Sequence, residues 1–473
     1  MQTGLKLLEV SNKLHHSVTM AEKMTSKQVN ITAEQVEGLF RPGEAHRDLY
    51  ASQDIFRAEM QHLFRQCWLY VGHDSQVPNR GDYIATELAD QPVLMVRDRE
   101  EVKVFHNRCP HKGTKLVLDA AGQAGPFFRC PYHAWTFRTD GSLRSIPHPQ
   151  GYDEERLHES AAGCGLSPVE NLVNYRGFIF ARLASQGIDF DAFFGGSLST
   201  LDNMIDRSPE GRLSVAGPPL RYMHRCNWKM LVENQTDTCH PMVAHESSAG
   251  TVVDLWSRIG GNSKKPMAVE IYAPFLSDYS FYDKMGIRIW PNGHGHTGVT
   301  QSIHSNYSEI PGYFDQMIAA YGRERAEAIL SESRHNTVFF PNIMVKGPIQ
   351  SLRLFKPLAA DRTLVESWIF RLDGAPDMLL ERTAAYNRLI NAPTSIVGHD
   401  DLEMYERAQE GLSAGGNDWV NMQRDMQADE MNFDGEKVVI GTSELQMRNQ
   451  FDAWRKFMLE SIQNADHKAG AGA

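Results

Sequence analysis

The chain has 473 residues, of which 41% are hydrophobic and 23% are charged, a composition that excludes disorder as its main state. Its 48 lysine and arginine residues against 59 acidic residues give a net charge of −11, which argues against a nucleic-acid partner. No apolar run reaches the length of a membrane span and the first residues lack a secretory signal, so we expect a cytoplasmic protein with no membrane partner. Six cysteines in a chain of this length form no disulfide framework.

The sequence predicts four segments. Residues 1–40 are polar and weakly periodic, which indicates an N-terminal extension that is flexible in part. Residues 41–66 are expected to form an N-terminal helix, capped at Ser52, that packs on the large C-terminal domain. Between 67 and 183, short β-prone runs alternate with turn residues, which predicts a small antiparallel all-β domain. From 184 to 473, helical and strand-like stretches alternate in blocks, which predicts an α+β domain with a central antiparallel sheet flanked by helices.

Hydrophobic periodicity gives the expected elements in chain order. The predicted strands of the first domain are 68–71, 83–86, 92–96, 102–106, 127–130, 135–138 and 175–183. The predicted helices of the second domain are 227–240, 313–334, 379–391, 394–411 and 443–463. Its predicted strands are 219–226, 337–346, 349–356 and 363–371.

Two short motifs inside the predicted all-β domain combine one cysteine with one histidine. The first is Cys109-Pro110-His111 and the second is Cys130-Pro131-Tyr132-His133. Each follows a strand-like run, so both are expected at loop tips, where two loops can converge on one metal site. A structural zinc ion would satisfy the ligand count, although zinc fingers usually draw ligands from a helix. The other candidate is a Rieske [2Fe–2S] centre, in which two cysteines bind one iron and two histidines bind the other.

These motifs resemble the Rieske domain of ring-hydroxylating oxygenases, and the flanking Gly113, Ala134-Trp135 and Asp140-Gly141 fit as well. Respiratory Rieske proteins carry an additional cysteine in each loop, and this chain has none there. Imidazole in place of thiolate raises the reduction potential of such a cluster, which suits it to passing single electrons onward. The cluster does not itself activate oxygen, so a second site is implied. The cluster ligands implied by the resemblance are Cys109, His111, Cys130 and His133.

A second group of candidate ligands lies between residues 227 and 245. A helix over 227–240 would place Asn234, Asp237 and His240 on one face. Pro241 disfavours the helical conformation at His240 and cannot continue the backbone hydrogen-bond ladder. A break at Pro241 would bring His245 back beside His240, with a carboxylate one turn earlier. The stretch also matches the mononuclear iron motif of the same oxygenase family.

A site of two histidines and one carboxylate needs a further acid, and Asp401 is the best candidate. On the predicted helix Asp401 shares an apolar stripe with Val397 and Met404, where an uncompensated acid would be costly. Asp400 is instead expected to face solvent. The family places its carboxylate ligand just before a segment like 406–412, which again selects Asp401. The ligands implied for the mononuclear iron are therefore His240, His245 and Asp401.

The resemblance covers nearly the whole chain and implies the catalytic α subunit of a Rieske non-haem iron oxygenase. Such an enzyme cis-dihydroxylates an aromatic substrate with O2 and electrons from NAD(P)H, delivered by a separate reductase with or without a ferredoxin. The sequence has no G-x-G-x-x-G motif where a strand is predicted to meet a helix, so we expect no dinucleotide to bind by that route. This agrees with a dependence on separate electron-transfer partners. The family implies a homotrimer, or an α3β3 assembly with a small β subunit. Asp237 resembles the family's carboxylate that bridges a Rieske histidine and an iron histidine, and Asp237 and Asn234 are the candidate catalytic residues.

The segment 441–454 resembles the benzoate and anthranilate branch of the family, which favours an aromatic carboxylic acid as substrate. Lys346 and Arg353 are possible partners for a carboxylate, although a structural or surface role is more common for such cations. The same metal motifs occur in monooxygenases and in O- or N-demethylases, which form the alternative within the enzyme class. The rival from another class is an electron carrier or a zinc-stabilised binding module. The second metal motif argues against that rival, because a carrier needs no second open site.

Other potential ligands have simpler explanations. His294 and His296 form an H-x-H pattern in a glycine-rich stretch, and we expect a structural or pocket-lining role for both. Cys239 is expected to be a small core residue. The remaining structural thiols are expected to be Cys67, Cys164 and Cys226.

Overall fold

The computed structural model describes residues 29–153, 164–263, 265–302, 310–430 and 435–470. Within these ranges, a small antiparallel β module is followed by a larger region with a nine-stranded antiparallel sheet and helices, which is the predicted α+β class. The first 28 residues of the predicted N-terminal extension lie outside the described ranges. Among the helices that the structure describes, none combines the length and apolar character needed to cross a membrane.

The β module contains three small antiparallel sheets. Their strands, in sheet order, are Glu101–His106, Gln91–Asp98, Asp82–Leu88 and Ala121–Gln123; Leu143–Ser145, Thr136–Arg138 and Phe127–Arg129; and Asn171–Tyr175, Phe178–Arg182 and Leu69–His73. Side chains alternate between the faces of a strand, and Gln91–Asp98 shows the consequence. Val93 and Met95 pack into the main core of the protein, whereas Leu94 and Val96 pack into a separate small core under the two Cys-His loops. The module therefore supports its loops from within and is fixed to the rest of the chain by its other face.

The large sheet organises the second region. Its strands, in spatial order, are Leu213–Val215, Arg362–Leu372, Ser351–Ala359, Ile343–Lys346, Thr337–Phe339, Gly295–Thr297, Ile287–Ile289 and Lys437–Val439, with Leu220–His224 also paired to the second of them. The short strand Ile343–Lys346 is buried at every position, so it carries the amino group of Lys346 into the interior.

Helices surround this sheet. They are Phe190–Phe194, Ser199–Asp206, Trp228–Asn234, Pro241–Ala244, Glu246–Ile259, Met267–Tyr272, Tyr279–Met285, Tyr313–Tyr321, Arg323–Ser331, Asp377–Tyr386, Ile396–Ser413 and Leu445–Gly470. The sequence predicts one helix over 313–334, but Gly322, with a φ of 77°, divides it into two. The predicted strand 175–183 belongs to a hairpin, because Arg176 and Gly177 form a turn between two paired strands.

The described part of the N-terminal segment packs on the second region. Thr32 caps the helix Ala33–Glu37, which buries Val36 and contacts the C-terminal helix. Ser52 caps Gln53–Ala58, as predicted, and a π-helical turn follows at Glu59–Leu63. The remaining elements are Phe40–Arg41 and Glu44–His46, which pair in a sheet with Trp419–Asn421, and the helix Asp48–Ala51.

Glu59 fixes the helix from which the predicted iron motif starts. Its carboxylate is fully buried and accepts hydrogen bonds from Lys229 Nζ at 2.5 Å, Trp228 Nε1 at 2.9 Å and Trp454 Nε1 at 2.8 Å. A buried charge persists only when it is paired and hydrogen-bonded, and here each carboxylate oxygen has a partner. The helix Trp228–Asn234 is therefore held between the N-terminal and C-terminal segments.

Candidate metal centres

The two Cys-His loops have the same backbone geometry. In both the Cys109 and the Cys130 loop, the cysteine N–H donates to the carbonyl five residues later at 2.8 Å. The N–H four residues later donates back to the cysteine carbonyl, at 2.9 Å in the first loop and 3.1 Å in the second. The residue that supplies this N–H has a positive φ, 74° at Gly113 and 55° at Ala134. Two matching turns therefore face the same site, each with one cysteine and one histidine.

The donor atoms of these loops fit a cluster with sulfur on the inside and imidazole on the outside. Cys109 and Cys130 are 1% and 2% exposed, and their thiols lie within hydrogen-bonding reach of each other. The rings of His111 and His133 are nearer the surface, with centroids 4.7 Å apart. Burial raises the pKa of the Cys109 thiol, and the neighbouring Cys130 thiol adds to this. A bound metal would favour the thiolate form of Cys109. Two thiols and two imidazoles are the donor set of a Rieske centre.

The helix predicted over 227–240 ends early, which corrects one step of the sequence argument. Asn227 caps it and it runs only over Trp228–Asn234, so Asp237 and His240 do not continue its face. Pro241 begins a short helix because proline fits the first helical position, where no N–H donor is needed. His240 has helical backbone angles, with φ of −70° and ψ of −32°. The interruption therefore precedes His240 instead of following it.

His240, His245 and Asp401 nevertheless come together, with one donor atom from each lying within 4.8 Å of the others. Asp401 Oδ1 is 3.7 Å from His240 Nε2 and 3.4 Å from His245 Nε2. Donors that share a small ion at about 2.1 Å are roughly 3.0–3.4 Å apart, so both carboxylate–imidazole distances are close to the range of a metal site. Two imidazoles and one carboxylate form the donor set of non-haem iron sites that keep open coordination positions. The arrangement fits a mononuclear iron.

The two candidate catalytic residues both contact His240. Asp237 Oδ2 is 3.3 Å from His240 Nδ1, and its Oδ1 accepts a hydrogen bond from the Cys239 N–H at 2.7 Å. Burial would raise the pKa of the Asp237 carboxyl, but its contacts with His240 and with backbone N–H groups lower it below its usual value. The side-chain amide of Asn234 lies 3.2 Å from His240 Nε2. Because the Asp237 side chain is still 27% exposed, it can orient the ring of His240 and remain accessible from outside.

The prediction that Asp400 faces solvent is wrong. Asp400 Oδ2 lies 3.2 Å from His245 Nδ1 and accepts a hydrogen bond from Ser248 Oγ at 2.8 Å. Successive residues of a helix point about 100° apart, so Asp400 and Asp401 reach opposite nitrogens of the same imidazole. The apolar stripe expected around Asp401 is also incomplete, because Met404 is 42% exposed. Sequence periodicity missed Asp400 because its partner, His245, lies far away in the chain.

A cavity lies beside His240, His245 and Asp401. Lys346 and Arg353 both line it, so a surface position is excluded for each. Lys346 Nζ donates to Tyr386 Oη at 2.5 Å, and the Arg353 guanidinium donates to Gln235 Oε1. Burial lowers the pKa of Lys346 well below its usual value, and the charge of Arg353 lowers it further. The apolar part of the lining includes Phe275, Met285, Met344, Ile390 and Val397.

His294 and His296 have a structural role, which is one of the two roles that the sequence predicted for them. His294 Nε2 donates to Phe193 O at 2.8 Å and its Nδ1 accepts from the Phe340 N–H at 3.0 Å, so both ring nitrogens are occupied. His296 Nδ1 is 3.0 Å from Thr297 O. Residues 293–298 spell G-x-G-x-x-G, but they lie at a hairpin of antiparallel strands and not where a strand meets a helix, so they lack the context of a dinucleotide site.

Two regions of the sequence match known families. Residues 67–160 match the Rieske [2Fe–2S] domain, and residues 214–460 match the ring hydroxylating alpha subunit (catalytic domain). The first range contains both Cys-His loops, and the second contains His240, His245 and Asp401.

Individual relatives agree with these matches. The chain is 28% identical to toluate 1,2-dioxygenase subunit alpha of Pseudomonas putida, over 82% of this chain and 82% of the relative. It is 31% identical to benzene 1,2-dioxygenase subunit alpha of Pseudomonas putida, over 79% of this chain and 81% of the relative. Among solved structures, naphthalene 1,2-dioxygenase from Rhodococcus sp. bound to indole has the same fold, with a TM-score of 0.71 and 22% identity, over 90% of this chain and 99% of that one.

Proposed function

This chain belongs to the family of ring-hydroxylating oxygenase α subunits. We propose that its substrate is an aromatic carboxylic acid. It is the terminal oxygenase, an oxidoreductase that cis-dihydroxylates an aromatic ring. Its Rieske domain implies a [2Fe–2S] cluster, and its catalytic domain uses mononuclear iron. When bound, the cluster supplies single electrons and the mononuclear iron supplies the site of O2 activation.

The proposed ligands follow from the donor atoms. We assign the two buried thiols to one iron of the cluster and the two outer imidazoles to the other, that is Cys109 and Cys130, and His111 and His133. The mononuclear iron is assigned to His240, His245 and Asp401, whose Nε2 and Oδ1 atoms converge. Asp237 Oδ2 approaches His240 Nδ1 at 3.3 Å, an approach that would orient the ring and leave Nε2 for the metal. The amide of Asn234 borders that Nε2.

The observation that carries the substrate proposal is the position of Lys346 and Arg353 in the cavity beside the iron site. Apolar side chains of the lining would face an aromatic ring, and a carboxylate would accept a charge-assisted hydrogen bond from Arg353. A bound carboxylate would also favour the charged form of Lys346, because a nearby opposite charge raises the pKa of a lysine. A neutral ring would gain nothing from them. The family relatives include enzymes named for toluate and for benzene, so the family alone does not choose between charged and neutral rings. The two cations favour the acid.

We further propose that the electrons originate from NAD(P)H and arrive through a separate reductase, with or without a ferredoxin. The proposed active assembly is a homotrimer or an α3β3 complex with a small β subunit. In either assembly Asp237 would face a Rieske histidine of a neighbouring subunit. The exposure of both side chains supports this contact, because a residue must reach the surface to meet another subunit. Asp237 is partly exposed and His133 is exposed.

Product analysis with 18O2 tests the activity. Purified oxygenase, with a compatible reductase, is supplied with a panel of benzoic acids and with their neutral counterparts. We expect two labelled oxygen atoms in a cis-dihydrodiol, and higher kcat/KM for the acids. A product with one labelled hydroxyl, or a demethylated product, would instead place the chain with the monooxygenases.

Removing the cations tests the substrate class. Charge-assisted hydrogen bonds are worth about 1.5–3 kcal/mol, so Arg353→Gln and Lys346→Met should each lower kcat/KM for an acid roughly 10- to 100-fold. The same variants should leave turnover of a neutral arene within about twofold of wild type. Arg371→Gln is the matched control, because Arg371 is an exposed cation on a neighbouring strand and pairs with Asp377. Equal losses on acid and neutral substrates would contradict the proposal.

A further inference from the structure

We propose that Asp400 is a positioning residue for the mononuclear iron site. It holds the His245 ring so that Nε2 is presented to the metal, and Ser248 in turn holds Asp400. The inference rests on the ligand set proposed above. It goes beyond that set, because Asp400 orients a ligand and is assigned no contact with the metal.

The geometry at His245 fixes both ring orientation and tautomer. His245 is 1% exposed, with Nδ1 at 3.2 Å from Asp400 Oδ2 and Nε2 at 3.4 Å from Asp401 Oδ1. An ionised carboxylate can only accept, so the His245 proton lies on Nδ1 when this hydrogen bond forms. Nε2 then carries the lone pair that a metal requires. The two neighbouring aspartates therefore have different tasks on one imidazole.

Ser248 closes this arrangement. It lies three residues after His245, on the helix Glu246–Ile259, and its hydroxyl is 2.8 Å from Asp400 Oδ2 and 3.1 Å from His245 O. The residue is 8% exposed, so water competes little for the hydroxyl. The contact ties the helix Glu246–Ile259 to the helix Ile396–Ser413. It thus joins the two distant segments that supply the proposed ligands.

Asp237 and Asp400 approach different histidines at similar distances, but their surroundings and their proposed roles differ. Each carboxylate approaches the Nδ1 atom of one proposed ligand, at 3.3 Å on His240 and 3.2 Å on His245. Asp237 is steadied by backbone N–H groups, whereas Asp400 is steadied by a side chain of another helix. We therefore expect Asp400 to act mainly on metal affinity, whereas the proposed role of Asp237 concerns turnover.

Metal affinity measured on protein with an intact cluster tests the inference without relying on activity. The mononuclear iron is removed with a chelator, and the protein is titrated with Co2+ under anaerobic conditions. Loss of a carboxylate that orients a metal-bound histidine typically weakens metal binding about 10- to 100-fold, which we expect for Asp400→Asn. Ser248→Ala should weaken it only a few-fold, and Asp400→Glu should recover part of the loss. Glu410→Gln, an exposed acid on the same helix, should have no effect.

The visible absorption of the bound cobalt provides a readout that a general loss of stability would not move. Asp400→Asn should shift the ligand-field bands, while the cluster absorption and the urea midpoint of the Co2+-free protein stay close to wild type. If Asp400→Asn does not fold, Ser248→Ala decides, and an affinity equal to wild type in that variant would overturn the proposal.

Failure of this inference can be told apart from failure of the ligand set. If His245→Ala and Asp401→Ala lose cobalt while Asp400→Asn keeps wild-type affinity and spectrum, only the role of Asp400 is wrong. If His245→Ala and Asp401→Ala bind cobalt normally, the ligand set itself is wrong. Complete loss of the metal in Asp400→Asn, equal to that in Asp401→Ala, would make Asp400 a ligand and would also overturn its assignment as a positioning residue.

Discussion

The two metal centres of this chain are built in different ways. The four proposed cluster ligands lie between residues 109 and 133, in two turns that are closed by their own backbone hydrogen bonds. The proposed ligands of the mononuclear iron come from residues 240–245 and from Asp401, segments that meet only because their helices pack together. The first centre is local in the sequence, and the second is a product of tertiary structure.

This difference has a direct consequence for how the centres respond to change. The Cys-His loops have a small hydrophobic core of their own, separate from the main core on which the mononuclear site depends. Each centre should therefore be removable without loss of the other. The communication between them should depend on single residues at the surface, of which Asp237 is the first candidate.

The largest effect is expected from removing a proposed ligand. Asp401→Ala should lose the mononuclear iron and reduce turnover to the detection limit, because two imidazoles alone hold iron weakly. The cluster spectrum should be unchanged. Metal analysis and electron paramagnetic resonance of the reduced protein measure both centres in one sample.

Cys109→Ser is the reciprocal variant. It should lose the cluster and retain about one iron per chain at the other site. Simultaneous loss of both centres in either variant would show that they are not independent, and would break the comparison. Glu403→Gln, an acid on the same helix as Asp401 that pairs with Arg407, serves as control and should keep both.

A smaller but still large effect is expected for Asp237→Asn. The amide preserves the shape of the side chain but is a weaker acceptor than the carboxylate, so the proposed path between centres of neighbouring subunits should weaken. We expect the variant to keep most of its iron and a reducible cluster, and to lose turnover about 100-fold. Single-turnover kinetics of pre-reduced protein with substrate and O2 provide the measurement.

Cluster oxidation coupled to product at the wild-type rate would show that Asp237 is not on the electron path. A loss of folding stability with normal single-turnover kinetics would assign it a purely structural role. Asp254→Asn is the matched control, because Asp254 lies on the exposed face of the helix Glu246–Ile259 and pairs with Arg258.

The smallest effect concerns the backbone of the cluster loops. Gly113 has a φ of 74°, and an added methyl group would come 3.3 Å from the flexible Arg108 side chain, so the cost of Gly113→Ala is mainly conformational. That cost is about 1 kcal/mol in the free energy of unfolding. Ala134 already occupies the equivalent position in the second loop, with a φ of 55°. Urea unfolding of the β module should show this loss, and loss of the cluster on Gly113→Ala would contradict the equivalence of the two loops.

The sequence predicted the first centre more completely than the second, because the ligands of the first centre are local in the sequence. A loop whose ligands are two or three residues apart repeats its pattern in the sequence, so Cys109 and Cys130 were recognisable from spacing. Most strands of the β module were also predicted, because short β-prone runs alternate there with turn residues, but Ala121–Gln123, Leu143–Ser145 and Asn171–Tyr175 were missed. In the large sheet the long central strands were predicted, whereas the short strands Leu213–Val215, Ile287–Ile289, Gly295–Thr297 and Lys437–Val439 were missed. His240, His245 and Asp401 were proposed on a partly wrong local argument, since the helix ends at Asn234 and the interruption precedes Pro241.

Contacts between distant segments were beyond the reach of periodicity. Asp400 was expected in solvent because its helix alone gives no indication of His245. Lys346 and Arg353 were named as possible carboxylate partners, but a structural or surface role was favoured, because only the packing of the sheet brings both strands to the cavity. The early end of the helix at Asn234 had no strong stop signal such as glycine, so helical spacing suggested that it continued.

Iron and acid-labile sulfide measured together in the freshly purified wild-type protein test the central claim most directly. Two separate centres require about three iron atoms and two sulfides per chain. Chelation of the mononuclear site should then remove about one iron and leave the sulfide and the cluster absorption unchanged. A protein that contains zinc in place of iron, with no sulfide and no visible absorption, would contradict the account of both centres.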